Sequence, residues 1–286
     1  MGDDPFRMEF RYPEAGGPPP VVLSIAGSDP SAGAGAQADL LTLASLGVHG
    51  CTAVTALTVQ DSVDVRAYTP VSPENTVAQA RAVLDDMSVR VIKIGMLGSA
   101  AMVAAVSALL ADYPRIPVVL DPVLAAGGGA ALAGAGLREA LAAQLLPQVT
   151  VMTPNGPEAL ALSGASDLPT AGAWLNRQGA EWVLISGGHG EGPELENMLF
   201  RGEVLRRTFR QPRLPHHYHG SGCTLAAALA AGLARGLAME EAVSRALDFT
   251  HACLLHAHPL GKGQYFPDRR VNPSRNALLR RTEQRM

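Results

Sequence analysis

The feature that most constrains this chain is an alternation. Short apolar runs recur along it: VVLSIAG from Val21, CTAVTALTV from Cys51, VRVIKIGML from Val89, IPVVLDPV from Ile116, VTVMTPN from Val149 and EWVLISGG from Glu181. Between them lie segments of helical pattern. These are Gly35 to Leu46, the stretch opening at Ser72-Pro73-Glu74, SAAMVAAVSALLADY from Ser99, Leu137 to Leu146, and the stretch from Pro157. Strands separated by helices of ten or more residues cannot pair as tight hairpins, so they imply βαβ units and a mainly parallel sheet. Two local exceptions read as antiparallel ribbons. DVRAYTPV follows CTAVTALTV directly, and ENMLFRGEVLRRTFR turns at Arg201-Gly202-Glu203. Two Ala/Leu-rich helices complete the pattern. The expected architecture is a three-layer α/β/α domain over residues 20–266, between a Pro/Gly-rich tail (1–19) and a polar tail (267–286). In such sheets ligands bind beyond the carboxyl ends of the strands, so residues just after strands are the ones to examine.

Composition narrows the functional classes. A net charge of −3 with scattered basic residues gives no electrostatic case for nucleic acid. Of the 23 basic residues only Lys93 and Lys262 are lysines. Three well-separated cysteines, Cys51, Cys223 and Cys253, argue against a disulfide framework and for a reducing, cytoplasmic setting. No apolar run is long enough to span a bilayer, and the N-terminus lacks a signal-peptide core.

Several stretches carry candidate chemistry. In HGSGCTLAAALAAGLARG, glycines let the backbone turn sharply into a helix whose first amides lack internal partners. That mouth favours an anion and would lower the pKa of Cys223. The alternative is an inert, half-buried thiol. AGSDPSAGAGAQADL contains a formal GxGxxA, but five residues separate it from the strand, and no acidic residue ends the second strand, so a dinucleotide site is disfavoured. It reads better as a glycine loop approaching a small ligand, with Asp39 either its carboxylate partner or an ordinary first-turn acid. Asp121 ends a central strand, where an unpartnered carboxylate is costly. Asn155 and Glu158 share one side of a helix start. With Asp121 they suit a hydrated Mg²⁺, or else they simply cap the helix. His216, His217 and His219 lack the second Cys/His pair of a zinc site, and His251 and His256 read as ordinary packing.

Together AGSDPSAGAGAQADL, GCTAVTALTVQ, KIGML, LDPV, TPNGPEA, GGH, HGSGCTLAAALA and GKG resemble, in order and spacing, the hydroxymethylpyrimidine/phosphomethylpyrimidine kinases of thiamine biosynthesis. These belong to the ribokinase-like superfamily. The resemblance implies ATP- and Mg²⁺-dependent phosphorylation of the hydroxymethylpyrimidine and its monophosphate, by a homodimer as in the family. It implies a pyrimidine held by the backbone of Gly27, by Asp39 and Gln60 reading amino and ring nitrogens, and by apolar contacts with Met96 and Val123. Gly220, Ser221, Gly222 and Cys223 would form the anion hole, with Cys223 as base. Asp121, Asn155, Glu158 and Ser221 would organise the ATP phosphates, with Asp121 and Glu158 nearest the metal. Two family lysines are replaced, by Gly127 and by Ser186. Pyridoxal phosphorylation, or non-catalytic sensing of a pyrimidine phosphate, are the competing implications.

Overall fold

A computed structural model describes residues 17–124, 136–188 and 192–271. In chain order the elements are β1 (Val21–Ser28), α1 (Gly35–Ser45), β2 (His49–Gln60), β3 (Val65–Pro70), α2 (Pro73–Asp86), β4 (Val89–Ile94), α3 (Ala100–Asp112) and β5 (Val118–Leu120). There follow α4 (Leu137–Ala140), β6 (Val151–Met152), α5 (Gly156–Ser163), α6 (Leu168–Arg177), β7 (Trp182–Ile185), β8 (Glu194–Arg201), β9 (Val204–Pro212), α7 (Ser221–Ala234) and α8 (Met239–Leu255).

The strands form one nine-stranded sheet in the order β3-β2-β1-β4-β5-β6-β7-β8-β9. Its centre, β2 through β7, is parallel, and the antiparallel β3 and the β8–β9 hairpin sit at the two edges. The two-residue period of each strand divides the core. Leu23, Ile25, Ile92, Ile94 and Leu120 pack beneath α2, α3, α5 and α6. Val22, Val91, Val119 and Val151 face Leu43 of α1 and the apolar sides of α7 and α8. Three layers result, with both sheet faces covered, as parallel strands require.

Local signals explain most boundaries. Ser72 caps α2 by accepting the Asn75 N–H, with Pro73 in the first turn. Asp167 caps α6 through Thr170 N–H. The helical stretch read from Pro157 is in fact two helices, α5 and α6, separated after a left-handed Gly164 (φ 69°). The stretch Leu137 to Leu146 is only four residues of α-helix before it widens into a π turn over Leu141–Leu145. The chain also stays packed past residue 266. Phe266, Pro267 and Arg269 are buried, and Asp268 N–H donates to Cys253 O at 3.0 Å, so the expected loose tail begins no earlier than residue 270.

Chain order places the functional loops. After β1 the chain steps to β2 on one side, and later returns to add β4 on the other. The crevice beyond the carboxyl ends of β1, β4 and β5 is therefore the topological switch point, where such folds bind ligands.

Candidate active site

Helix α7 starts on a glycine turn. Its N-cap, Gly220, is left-handed (φ 74°) and offers no side-chain cap, so the first-turn amides of Gly222 and Cys223 face the crevice without a capping side chain. A side chain at 220 would strike Gly33 O, and one at 33 would strike the His219 ring. Two glycine turns from opposite ends of the sequence thus interlock at the helix mouth. His219 Nε2 meets Asp29 Oδ2 at 2.9 Å, and that carboxylate also accepts from Ala34 N–H, Ser31 N–H and Ser31 Oγ. Burial opposes ionisation of Asp29, but these bonds outweigh it and hold its carboxyl below the usual range.

Beneath the mouth lies a buried charge cluster. Period-two alternation turns Ser24 of β1, Lys93 of β4 and Asp121 after β5 toward the α1/α7 layer. Lys93 Nζ donates to Asp39 Oδ2 at 2.9 Å, and Ser24 Oγ donates to the same oxygen at 2.6 Å. Burial disfavours the charged lysine, yet Asp39, Cys223 and Asp121 outweigh it and keep the ammonium firmly protonated. Asp121 Oδ2 is buried without a hydrogen-bond partner. Burial pushes Asp121 up while Lys93 opposes the rise.

Four expectations need correction here. The Asp39 carboxylate has no exposed surface: Lys93 and Ser24 hold its Oδ2, and its Oδ1 is buried without a partner, so it stands in a buried ion pair rather than as an ordinary first-turn acid. Asn155 Oδ1 is occupied by Glu158 N–H at 2.8 Å, while Glu158 Oε2 accepts from Asn155 N–H at 2.9 Å. This capping box engages both residues, so Asn155 Oδ1 and one Glu158 oxygen serve the helix start. The Cys223 thiol is pushed up to about 12, chiefly by burial and also by Asp121 and Asp39, against the help of Lys93 and the Gly35 amide. A helix N-terminus lowers a thiol pKa only while desolvation is small. The fourth concerns residues 267–269, which pack against the site.

Other candidates converge. Met96, Val123, Ala56, Val65 and Tyr68 form a small apolar cluster separate from both cores, and a side chain at Gly27 would abut Met96 Sδ at 3.4 Å. Gln60, at the end of β2, donates to Thr58 Oγ1 at 2.7 Å. Ser186 pairs backbone with Pro154 beside Asn155. Gly127 and His189 lie outside the described residues. Sequence reasoning missed Lys93, Val65, Tyr68 and Arg269. Of these, only Lys93 left a signal, since a lysine in the run VRVIKIGML, central to a parallel sheet, demands a buried counter-charge.

The donor set suits hydrated Mg²⁺. Asp121 presents an oxygen with no partner, and Glu158 is close enough for Asp121, after burial, to help push it up to about 7. A folded carboxyl near 7 holds a proton that the unfolded chain, near 4.3, releases. Stability from this group therefore falls as pH rises from about 4.5 to 7 and is flat above. Glu158→Gln keeps the capping box, since Gln also serves there, and is expected to remove that fall. Urea denaturation at pH 5 and pH 7.5 in EDTA reads it. An unchanged pH slope in the variant would mean Glu158 is ionised throughout.

The switch-point crevice of this α/β/α sheet thus sets a glycine-lined helix mouth beside strand-end carboxylates. The family model described as phosphomethylpyrimidine kinase matches residues 29–268, and the chain belongs to that family. It is 41% identical over 252 residues to the hydroxymethylpyrimidine/phosphomethylpyrimidine kinase of Haemophilus influenzae, covering 85% of this chain and 93% of that protein. It is 42% identical over 248 residues to the thiamine biosynthesis bifunctional protein of Geobacter sulfurreducens, covering 85% of this chain but 50% of that longer protein. Among solved structures, the ADP complex of Bacillus subtilis pyridoxal kinase superposes with a TM-score of 0.80 at 31% identity, over 88% of this chain and 97% of that one.

Proposed function

We propose that this enzyme transfers the terminal phosphoryl group of ATP to the hydroxymethyl oxygen of 4-amino-5-hydroxymethyl-2-methylpyrimidine, and then phosphorylates the resulting monophosphate, supplying thiamine biosynthesis. The observation that carries the reading is the ring-sized apolar wall of Met96, Val123, Val65 and Tyr68 at the same crevice as the Gly220–Cys223 mouth. A flat heterocycle fits against that wall, with the Gly27 backbone and the Gln60 amide serving its polar edge. Its alcohol then points to Cys223.

Phosphoryl transfer through a loose transition state asks mainly for positioning and charge stabilisation. The amides of Gly222 and Cys223 and the α7 dipole receive the charge on the transferring group. Ser221 lies beside the phosphates at the same turn. Asp121 and Glu158 would hold Mg²⁺, which supplies neutralisation of the phosphate oxygens. Lys93 holds Asp39 and Asp121 in place from below. Cys223, a neutral thiol in the empty site, already carries its own proton, so it orients the alcohol, whose proton leaves late to an oxygen of the transferred phosphoryl group as charge builds.

Support for a cytoplasmic enzyme comes from three unpaired cysteines. No helix among the described residues is long and apolar enough to cross a membrane. The outer face of the β2–β3 ribbon, with Leu57 55% and Val59 58% exposed, supports a homodimer. Pyridoxal phosphorylation is the second reading, favoured by the structural likeness to pyridoxal kinase.

A coupled ATP-consumption assay with the pyrimidine alcohol, its phosphate and pyridoxal side by side is the test. Turnover of the first two above pyridoxal is expected. Preference for pyridoxal would reassign the substrate. Tight binding of the pyrimidine phosphate with no turnover of any alcohol would replace the kinase with a sensor.

A further inference from the structure

Arg269 lies one residue past the family match, in a segment whose sequence announces nothing. Yet it is only 5% exposed. Its guanidinium makes three hydrogen bonds: Nε to Thr224 Oγ1 at 3.0 Å, Nη1 to Ala32 O at 3.3 Å and Nη2 to Gly33 O at 2.5 Å. Thr224 Oγ1 in turn donates to Gly220 O at 2.8 Å. One planar group therefore joins the glycine loop after β1 to the first turn of α7, the two walls that interlock at the anion hole.

The chemistry of the acceptors explains why arginine stands there. Ala32 and Gly33 direct their carbonyls inward, away from the amides that the loop turns elsewhere, and buried carbonyls need donors. Two carbonyls and a hydroxyl, spread over two elements, match a rigid fork with several donors in one plane. A lysine ammonium in that place would carry the charge but reach fewer of the three. The segment is itself held: Asp268 N–H bonds Cys253 O of α8, and Phe266 meets the His219 ring edge-on at 5.6 Å. The guanidinium is thus fixed at its base, with no slack to transmit.

We propose that Arg269 is a positioning residue for phosphoryl transfer. It clamps the Ala32–Gly33 carbonyls to Thr224 and so sets the separation of the two walls of the anion hole. This rests on the kinase reading above. The pyrimidine wall of Met96 and Val123 is built from the segments after β4 and after β5, which Arg269 does not touch. Loss of the clamp therefore acts on the transition state and spares the binding of the ring.

The test compares Arg269→Met, Arg269→Lys and Thr224→Val with wild type, measuring kcat and KM for the pyrimidine alcohol, thermal unfolding, and amide hydrogen exchange at residues 30–36 and 220–225. Arg269→Met is expected to lower kcat by about 10²-fold, the usual cost of misplacing reacting groups by an ångström, with KM within threefold. Arg269→Lys is expected to recover less than a tenth of the lost rate, because charge without the fork does not clamp. Both segments should exchange faster in the methionine variant. Thr224→Val, which removes one acceptor at constant shape, should move kcat the same way by less, and its effect should vanish in the methionine background. Unchanged kcat in Arg269→Met overturns the proposal, as does full recovery of activity at a temperature where a destabilised variant is folded. If Arg269→Met does not fold, Thr224→Val decides alone, and wild-type kcat there overturns it. Exchange is read without substrate. If the wild type phosphorylates no pyrimidine, the kinase reading fails, while unaltered exchange in both segments would still overturn the clamp.

Discussion

Cys223→Ala is expected to lower kcat by about 10²-fold or more, the range for a positioned group that meets the reacting hydroxyl, with thermal stability almost unchanged. The thiol sits in the first turn of α7, toward Asp121 and the Gly35 amide. It contributes little packing, because the mouth is half open and the fourteen-residue helix behind it is buried on its own account. Burial pushes the thiol up to about 12. At neutral pH the thiolate is then a minute fraction, against several per cent for an ordinary cysteine near 8.5. Iodoacetamide at pH 7.5 should accordingly label Cys223 at least about a hundredfold more slowly than a free thiol. Peptide mass mapping measures this directly. Fast labelling would restore the activated thiolate, and wild-type turnover by Cys223→Ala would reduce the residue to a space-filler.

Lys93→Met is the change with the largest expected effect on stability. It removes the only hydrogen-bonded cation beneath Asp39 and leaves that carboxylate buried with Ser24 alone. Breaking a buried pair from one side costs about 3–5 kcal/mol. For a domain of this size, that lowers Tm by roughly 10 °C. Replacing both partners, as Lys93→Met with Asp39→Leu, should return much of the stability, since an apolar pair of similar volume is often neutral. Activity should not return, because Asp121 and the mouth above it still lack the ammonium. Guanidinium denaturation of the three variants against kcat separates the two roles. A single variant less than about 1 kcal/mol below wild type would show that the pair contributes little to stability.

Much of this was legible in the residues. The alternation of apolar runs and helical segments specified the layers. Ser72-Pro73-Glu74 marked a helix start, and Arg201-Gly202-Glu203 marked the β8–β9 turn, because caps and turns depend on neighbours within four residues. The glycine loop after β1 and the Gly220–Cys223 turn also read as turns at strand ends and helix starts, and the two meet in the structure at Gly33 and Gly220. Asn155 and Glu158 carried both a capping and a metal-binding meaning in sequence, and their reciprocal hydrogen bonds show the first for both.

What the chain by itself determined is therefore periodic and local: which face of each strand is apolar, where helices begin, and which glycines must turn. Only the tertiary structure decided the charges. Asp39 reads as a first-turn acid until Lys93, 54 residues away, pairs with it. Cys223 reads as an activated thiol until folding partly buries it beside Asp121 and Asp39. Arg269 reads as tail until it reaches carbonyls 236 and 237 residues earlier. The free energy of a buried charge is set by the partners and the solvent it meets after folding, and no spacing along the chain records either.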